Sequence, residues 1–108
     1  MTSAQLSPEL MTLIAERFKA LGEPARLRIL NALRHGERTV TELAVEARLG
    51  QANVSKHLHT LYSVGLVVRR RVGSFVHYAI ADERLFRLCD LMCDQLEADA
   101  DSRHRVVA

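Results

Sequence analysis

Three stretches of this 108-residue sequence hold side chains whose types and spacing could do chemistry. The first is Gln51-Ala52-Asn53-Val54-Ser55-Lys56-His57-Leu58-His59. Wound as a helix with Val54, Leu58 and Leu61 on a buried stripe, at about 100° per residue, it presents Ala52, Ser55, Lys56 and His59 on the opposite arc. Gln51 and Asn53 fall near its N-terminus. Amides and hydroxyls so placed can pair with base edges, and a lysine can meet a phosphate or a guanine. Gln51, Asn53, Ser55, Lys56 and His59 are therefore the candidate DNA contacts. His57 lies beside the buried stripe, where a histidine bonded within the domain is favoured over one that reaches DNA.

The second stretch is Arg69-Arg70-Arg71. On a strand, alternate residues point to opposite faces, so Arg69 and Arg71 share one face as phosphate contacts. Arg70 is then expected on the other, its stem lying over apolar surface. Thr39 and Thr41, at the start of a short helix, either bond phosphate or serve as simple caps. The third stretch holds Cys89 and Cys93, at i, i+4 on one helix. Two readings stand for them. As thiolates they could chelate arsenite or another soft ion, or be oxidised, with a link between subunits more credible than a strained bond inside one helix. As apolar residues on the buried stripe they are core. Asp90 and Asp94 would raise the thiol pKa values, which weakens the redox version. His35, His77 and His104 show no ligand spacing.

These side chains need elements to hold them. Ser7-Pro8-Glu9 starts a helix, with Ser as cap and Pro in the first position, and Leu10, Leu13, Ile14, Phe18 and Leu21 continue it to Gly22. Glu23-Pro24 opens a second, which runs to Gly36. Thr39 and Glu42, three apart, have the form of a capping box for a third helix ending at Leu49-Gly50, where Gly50 is expected to make the tight turn. A fourth runs from about Gln51 to Tyr62. The period then changes: Leu66 to Arg71 and Phe75 to Ile80 are β-prone runs around Val72-Gly73-Ser74, a hairpin signature. A last helix is expected from Asp82 to Ala98. The domain so read covers 1–98, with 99–108 as a polar tail. The fold class is mainly α with a two-stranded β-wing, α-α-α-α-β-β-α: a winged helix-turn-helix.

Composition agrees with one globular domain, at 48% hydrophobic and 26% charged. A chain of this size buries only roughly 65% of its unfolded surface, so a second subunit would add to its core. The net charge of +2 is uneven. From Arg34 to Arg71 there are seven basic residues against three acidic ones, and from Asp82 to Asp101 seven acidic against two basic. A polyanion-facing centre with an acidic flank is one account of this, and a solvated surface the other. Two cysteines make no disulfide framework, the polar start Met1 to Glu9 reads as no secretory signal, and no apolar run reaches the ~20 residues of a membrane span. The expected compartment is the cytoplasm, with no membrane partner.

Phe18-Lys19-Ala20-Leu21-Gly22-Glu23-Pro24-Ala25-Arg26-Leu27-Arg28-Ile29-Leu30 resembles the opening of ArsR/SmtB-family repressors. Leu49-Gly50-Gln51-Ala52-Asn53-Val54-Ser55-Lys56-His57-Leu58 resembles their recognition helix, and Leu61 to Val68 its run into the wing. The likeness covers roughly residues 10 to 98. It implies a repressor homodimer, paired through its first and last helices, that leaves double-stranded operator DNA when an inducer binds. Such pairing would bring four thiols near the two-fold axis. The family's thiol site in the third helix has no counterpart in Thr41-Glu42-Leu43-Ala44-Val45-Glu46-Ala47. Its zinc positions look like Asp82, Arg84, Gln95 and Ala98 here, of which only Asp82 is a ligand. The inducer candidates are thus arsenite, another soft metal ion or an oxidant at Cys89 and Cys93, or none at all.

A winged-helix module for protein contact, without specific DNA binding, is the competing class. The polar recognition face and the arginines of the wing favour DNA. No phosphate loop, nucleophile elbow or metal triad suggests an enzyme.

Overall fold

A computed structural model describes residues 5–107. Residues 1–4 of the polar start, and the side chain of His104, lie outside the described part. The elements are α1 (Pro8–Leu21), α2 (Pro24–Ala32) with a 3-10 turn at Leu33–His35, β1 (Arg38–Thr39), α3 (Val40–Ala47), α4 (Gln51–Ser63), β2 (Val67–Val72), β3 (Phe75–Ile80) and α5 (Leu85–Val107). The chain is mainly α and carries a winged helix-turn-helix. The helix starts follow local chemistry. Ser7 accepts from the Leu10 N–H at 3.1 Å ahead of Pro8, and the Glu23 carboxylate accepts from the Ala25 N–H at 3.0 Å ahead of Pro24.

The structure departs from the sequence reading at three places. First, the wing hairpin has a third strand: β1 pairs antiparallel with β3, giving the order β1-β3-β2. Two residues are too few for alternation to show, and Thr39 also reads as a cap. Second, Gly50 does not make the turn between α3 and α4. Arg48 takes the left-handed conformation, φ 56°, while Gly50 is extended. The Arg48 N–H donates to the Val45 carbonyl and the Leu49 N–H to that of Ala44, the two bonds of a Schellman motif. Third, α5 begins three residues later than expected and runs past Ala98. Asp82 accepts from the Arg84 N–H at 2.9 Å, and three i to i−3 bonds tighten the turn that follows. Beyond Ala98 neither Gly nor Pro interrupts the helix.

The hairpin pairs Val67 with Ile80 through Val72 with Phe75, closed by Gly73-Ser74 with Gly73 at φ 61°. A positive φ at the first central residue alone is the II′ pattern, and it suits glycine. The core is formed by Ile29 and Leu30 of α2, Leu43 of α3, Val54, Leu58 and Leu61 of α4, and Leu66 and Val67 at the entry to the wing. α1 adds Ala20, and among the described residues α5 adds no buried side chain. Both outer helices therefore leave apolar side chains in solvent, among them Leu13, Phe18, Leu88, Leu91, Met92 and Leu96.

Candidate nucleic-acid interface

The helix-turn-helix is built from caps and a buried stripe. The Thr39 hydroxyl accepts from the Glu42 N–H at 3.3 Å, and the Glu42 carboxylate accepts from the Thr39 N–H at 2.9 Å, completing the capping box. The bond from the Thr39 N–H is the chief reason the Glu42 carboxyl lies below its ordinary pKa, with the Thr39 side chain adding less. Thr39 is thus a cap whatever else it meets, while Thr41 is exposed on the first turn of α3. In α4 the side chains of Val54, Leu58 and Leu61 are completely buried. With that stripe seated, Gln51, Asn53, Ser55, Lys56 and His59 all face solvent. The N-cap of α4 is Gly50, which brings no side-chain cap, so the N–H groups of the first turn are left for an outside acceptor.

His57 is half-buried, and its Nδ1 lies 3.3 Å from Arg26 Nη1. Arg26 also donates to the Ala20 carbonyl at 2.6 Å, so one guanidinium joins the end of α1 to α4. Sequence reasoning passed over Arg26, whose partner lies 31 residues away. At the other end of α4, Arg17 donates to the Val64 carbonyl at 3.0 Å, beside Gly65. A Cβ on Gly65 would stand 2.9 Å from that guanidinium, and φ there is 82°. The positive φ is what calls for glycine, since the end of the flexible Arg17 side chain could swing aside.

On the wing the three arginines have different surroundings. The Arg69 guanidinium stacks over the Tyr62 ring of α4 at 4.0 Å, and Tyr78, its partner across the hairpin, raises its pKa, with Tyr62 adding a smaller effect. This contact ties the wing to the recognition helix. Arg70 does not spread its stem over apolar surface as expected; it is exposed, and its guanidinium clamps the Glu37 carboxylate. That bond lowers the Glu37 pKa, with His77, 3.9 Å away, adding a smaller effect. The reason is β1, which brings Glu37 beside the hairpin. Arg71, opposite Val76, is exposed. Tyr62 and Glu37 were not singled out in the sequence, where nothing local marks them.

On α5, Cys89 is half-buried and Cys93 exposed. The Cys93 thiol donates to Glu97 at 3.7 Å. Its pKa is raised, chiefly by the charge of Glu97, with Asp94 and Asp90 contributing less. A thiol held protonated is a poor nucleophile toward oxidants. The four zinc-like positions do not fit the metal: Arg84 Nη2 grips the Asp82 carboxylate at 2.6 Å, and Gln95 and Ala98 are not zinc ligands. Asp82 is held at about 2, mainly by that side-chain bond. Its folded pKa lies below the ordinary 3.8, so the contact is fully formed above about pH 4 and is lost as pH falls through about 2. Carboxyl carbon NMR should show this low midpoint, and Arg84→Ala should raise it toward the ordinary carboxylate range while the backbone N–H bond remains. Above Cys89 on the helix, Arg34 pairs with Asp90 at 2.9 Å and stacks on Phe86 at 4.4 Å, tying α5 to the end of α2.

A family model described as bacterial regulatory protein, arsR family, matches residues 23–68. The chain is 39% identical over 98 residues to a transcriptional repressor SmtB homolog of Synechocystis, covering 86% of this chain and 74% of that protein. It is 38% identical over 88 residues to the transcriptional regulator NmtR of Mycobacterium tuberculosis, covering 82% and 73%. Among solved structures it is similar to a homodimeric winged helix-turn-helix DNA-binding domain from Mycobacterium bovis, a possible ArsR-family regulator. The TM-score there is 0.74 with 35% identity, over 95% of both chains.

Proposed function

The chain belongs to the ArsR family of bacterial regulatory proteins, and from that premise we propose that it is a sequence-specific DNA-binding repressor acting as a homodimer in the cytoplasm. The observation that carries this reading is α4, with its apolar stripe fully seated and its polar residues turned outward. Gln51, Asn53 and Ser55 read bases, and Lys56 and His59 contact the backbone or a guanine. Arg71 meets phosphate from the wing, Arg69 does so from its stacked position, and Thr41 and Thr39 border the same backbone. The exposed apolar residues of α1 and α5 pair the chains. Cys89 and Cys93 receive a thiol-reactive inducer, arsenite being the first to try. The protein acts by occupying DNA and not by catalysis. Among the described residues no helix is long and apolar enough to cross a membrane.

The test is fluorescence anisotropy of the reduced protein on duplex DNA from upstream of its own gene, against random duplex. Saturable binding that prefers the upstream fragment and weakens steeply with salt is the expected result. Lys56→Ala should weaken binding to every duplex and lower the salt slope by about 1. Binding no better than to random DNA would instead favour the protein-contact module. Arsenite that releases the DNA from the wild type but not from the Cys89→Ser, Cys93→Ser double variant would support the thiol site.

A further inference from the structure

The two faces of the wing differ. Residues paired across a hairpin share a face, and so do alternate residues of one strand. One face therefore carries Arg69 and Arg71, and the other Arg70, Val72, Phe75 and His77. On the second face the arginine is neutralised, because Arg70 is held by Glu37. What remains at its tip is apolar, with Val72 44% and Phe75 62% exposed on adjoining strands. Single apolar residues on a surface are ordinary, but these two are paired at the far end of a projecting hairpin. Among the described residues no cation stacks on Phe75, whereas Arg34 covers Phe86 and Arg69 covers Tyr62. The first face keeps Arg71, which has no ion pair among the described residues. The turn between the strands is slender: Gly73 and Ser74 are both small, and a Cβ on Gly73 would meet nothing within 4 Å. Val67 is buried, and at about 3.3 Å per residue the strand carries Val72 about 17 Å beyond it. That is half of the roughly 34 Å helical turn of DNA, the step from a major groove to the minor groove beside it.

We propose that Phe75 is an apolar wedge, carried by the wing tip into the minor groove beside the α4 site, where it presses into a base step and bends the duplex. The assignment rests on the reading of α4 as the helix that faces DNA, and it adds a contact that reads deformability instead of base edges. Two observations select DNA as the occupant of the tip. The hairpin continues from α4, to which the Arg69–Tyr62 stack ties it, and the unpaired Arg71 stands at the same end. A minor groove about 6 Å wide admits a tip of glycine and serine, with Phe75 and Val72 immediately behind. Arg71, on the opposite face, meets phosphate along the groove wall. An inserted apolar side chain unstacks a step and kinks the duplex, and pyrimidine–purine steps yield most easily. The Ser74 hydroxyl brings a donor, and the minor-groove edge of an A·T pair offers only acceptors. The favoured step is therefore TA, at a position that Gln51, Asn53 and Ser55 do not touch.

The test uses the full-length protein and its preferred upstream duplex, prepared as a series in which one adenine at a time is replaced by aminopurine, a fluorescent analogue that brightens when it unstacks. Bound wild type should brighten a position flanking the major-groove site, at or next to a TA step, and should bend the duplex as read by energy transfer between its ends. Phe75→Ala should abolish the brightening, reduce the bend and weaken binding by roughly tenfold or more, the scale set by burying an aromatic ring. Its salt slope should match that of the wild type, because no phosphate contact is lost, and Phe75→Leu should restore part of the brightening. Phe75 is exposed, so neither change disturbs the core. Replacing the TA step by a stiff A-tract step should lower the affinity of the wild type and leave that of Phe75→Ala unchanged. Brightening nowhere in the bound site overturns the wedge, as does brightening that persists in Phe75→Ala. A Phe75→Ala protein that binds and bends DNA as the wild type does also overturns it, and assigns the tip to a protein partner. Absence of preferential binding by the wild type refutes the reading of α4 itself, and the anisotropy measurement tells that failure from loss of the wedge alone.

Discussion

Leu58→Ala should lower the free energy of unfolding by about 2–5 kcal/mol, the range for emptying a fully enclosed leucine site. Leu58 has no exposed surface and sits in the middle of the stripe that seats α4. The core around α4 is drawn from α2, α3 and β2 as well, so collapse around the gap would have to move more than one element. Domains of this kind are stable by about 5–15 kcal/mol in all, so at mid-range the change removes roughly a third of the stability. Urea unfolding followed by circular dichroism measures it. Val45→Ala is the control: Val45 is 75% exposed on α3, and the change should stay within about 0.5 kcal/mol. DNA affinity of the folded Leu58→Ala protein should fall as well, because the same stripe sets the orientation of the polar face. A loss no larger than in the control would mean that α4 is not held by this stripe.

Asn53→Ala and Ser55→Ala should each cost about 1–3 kcal/mol of DNA binding, and the loss should be confined to one base position. Both side chains are exposed on α4, so neither change opens a cavity or leaves a buried polar group unpaired. The loss therefore reads the interface and not the fold. Affinities for duplexes substituted one base pair at a time separate the cases. A base-reading residue loses discrimination at its own position, while Lys56→Ala lowers affinity for all duplexes alike. If Asn53→Ala, Ser55→Ala and Lys56→Ala all bind as tightly as the wild type, the DNA-contacting surface is elsewhere, and the wing around Arg71 becomes the next place to look.

What the sequence determined by itself was local. The caps at Ser7, Glu23 and the Thr39–Glu42 box, the stripe of Val54, Leu58 and Leu61, and the hairpin around Gly73 all depend on residues a few positions apart. Helical and strand periods act over that same range, so type and spacing are enough to reveal them. The turn after α3 marks the limit of such reasoning: a glycine signals the turn, yet the left-handed residue is Arg48, because two Schellman bonds offset the cost of a side chain there.

Only the tertiary structure decided which partner each charged group takes. Arg26 meets His57 across 31 positions, Arg70 meets Glu37 across 33, and Arg34 meets Asp90 across 56. A charged side chain has many possible partners of similar intrinsic strength, and the choice falls to whichever one chain folding brings within a few ångströms. An open cleft beside Cys89 and Cys93 has the same origin. Its walls come from α1, α2 and α5, and an apolar stripe on any one of them cannot reveal whether it will be covered by the core or left open.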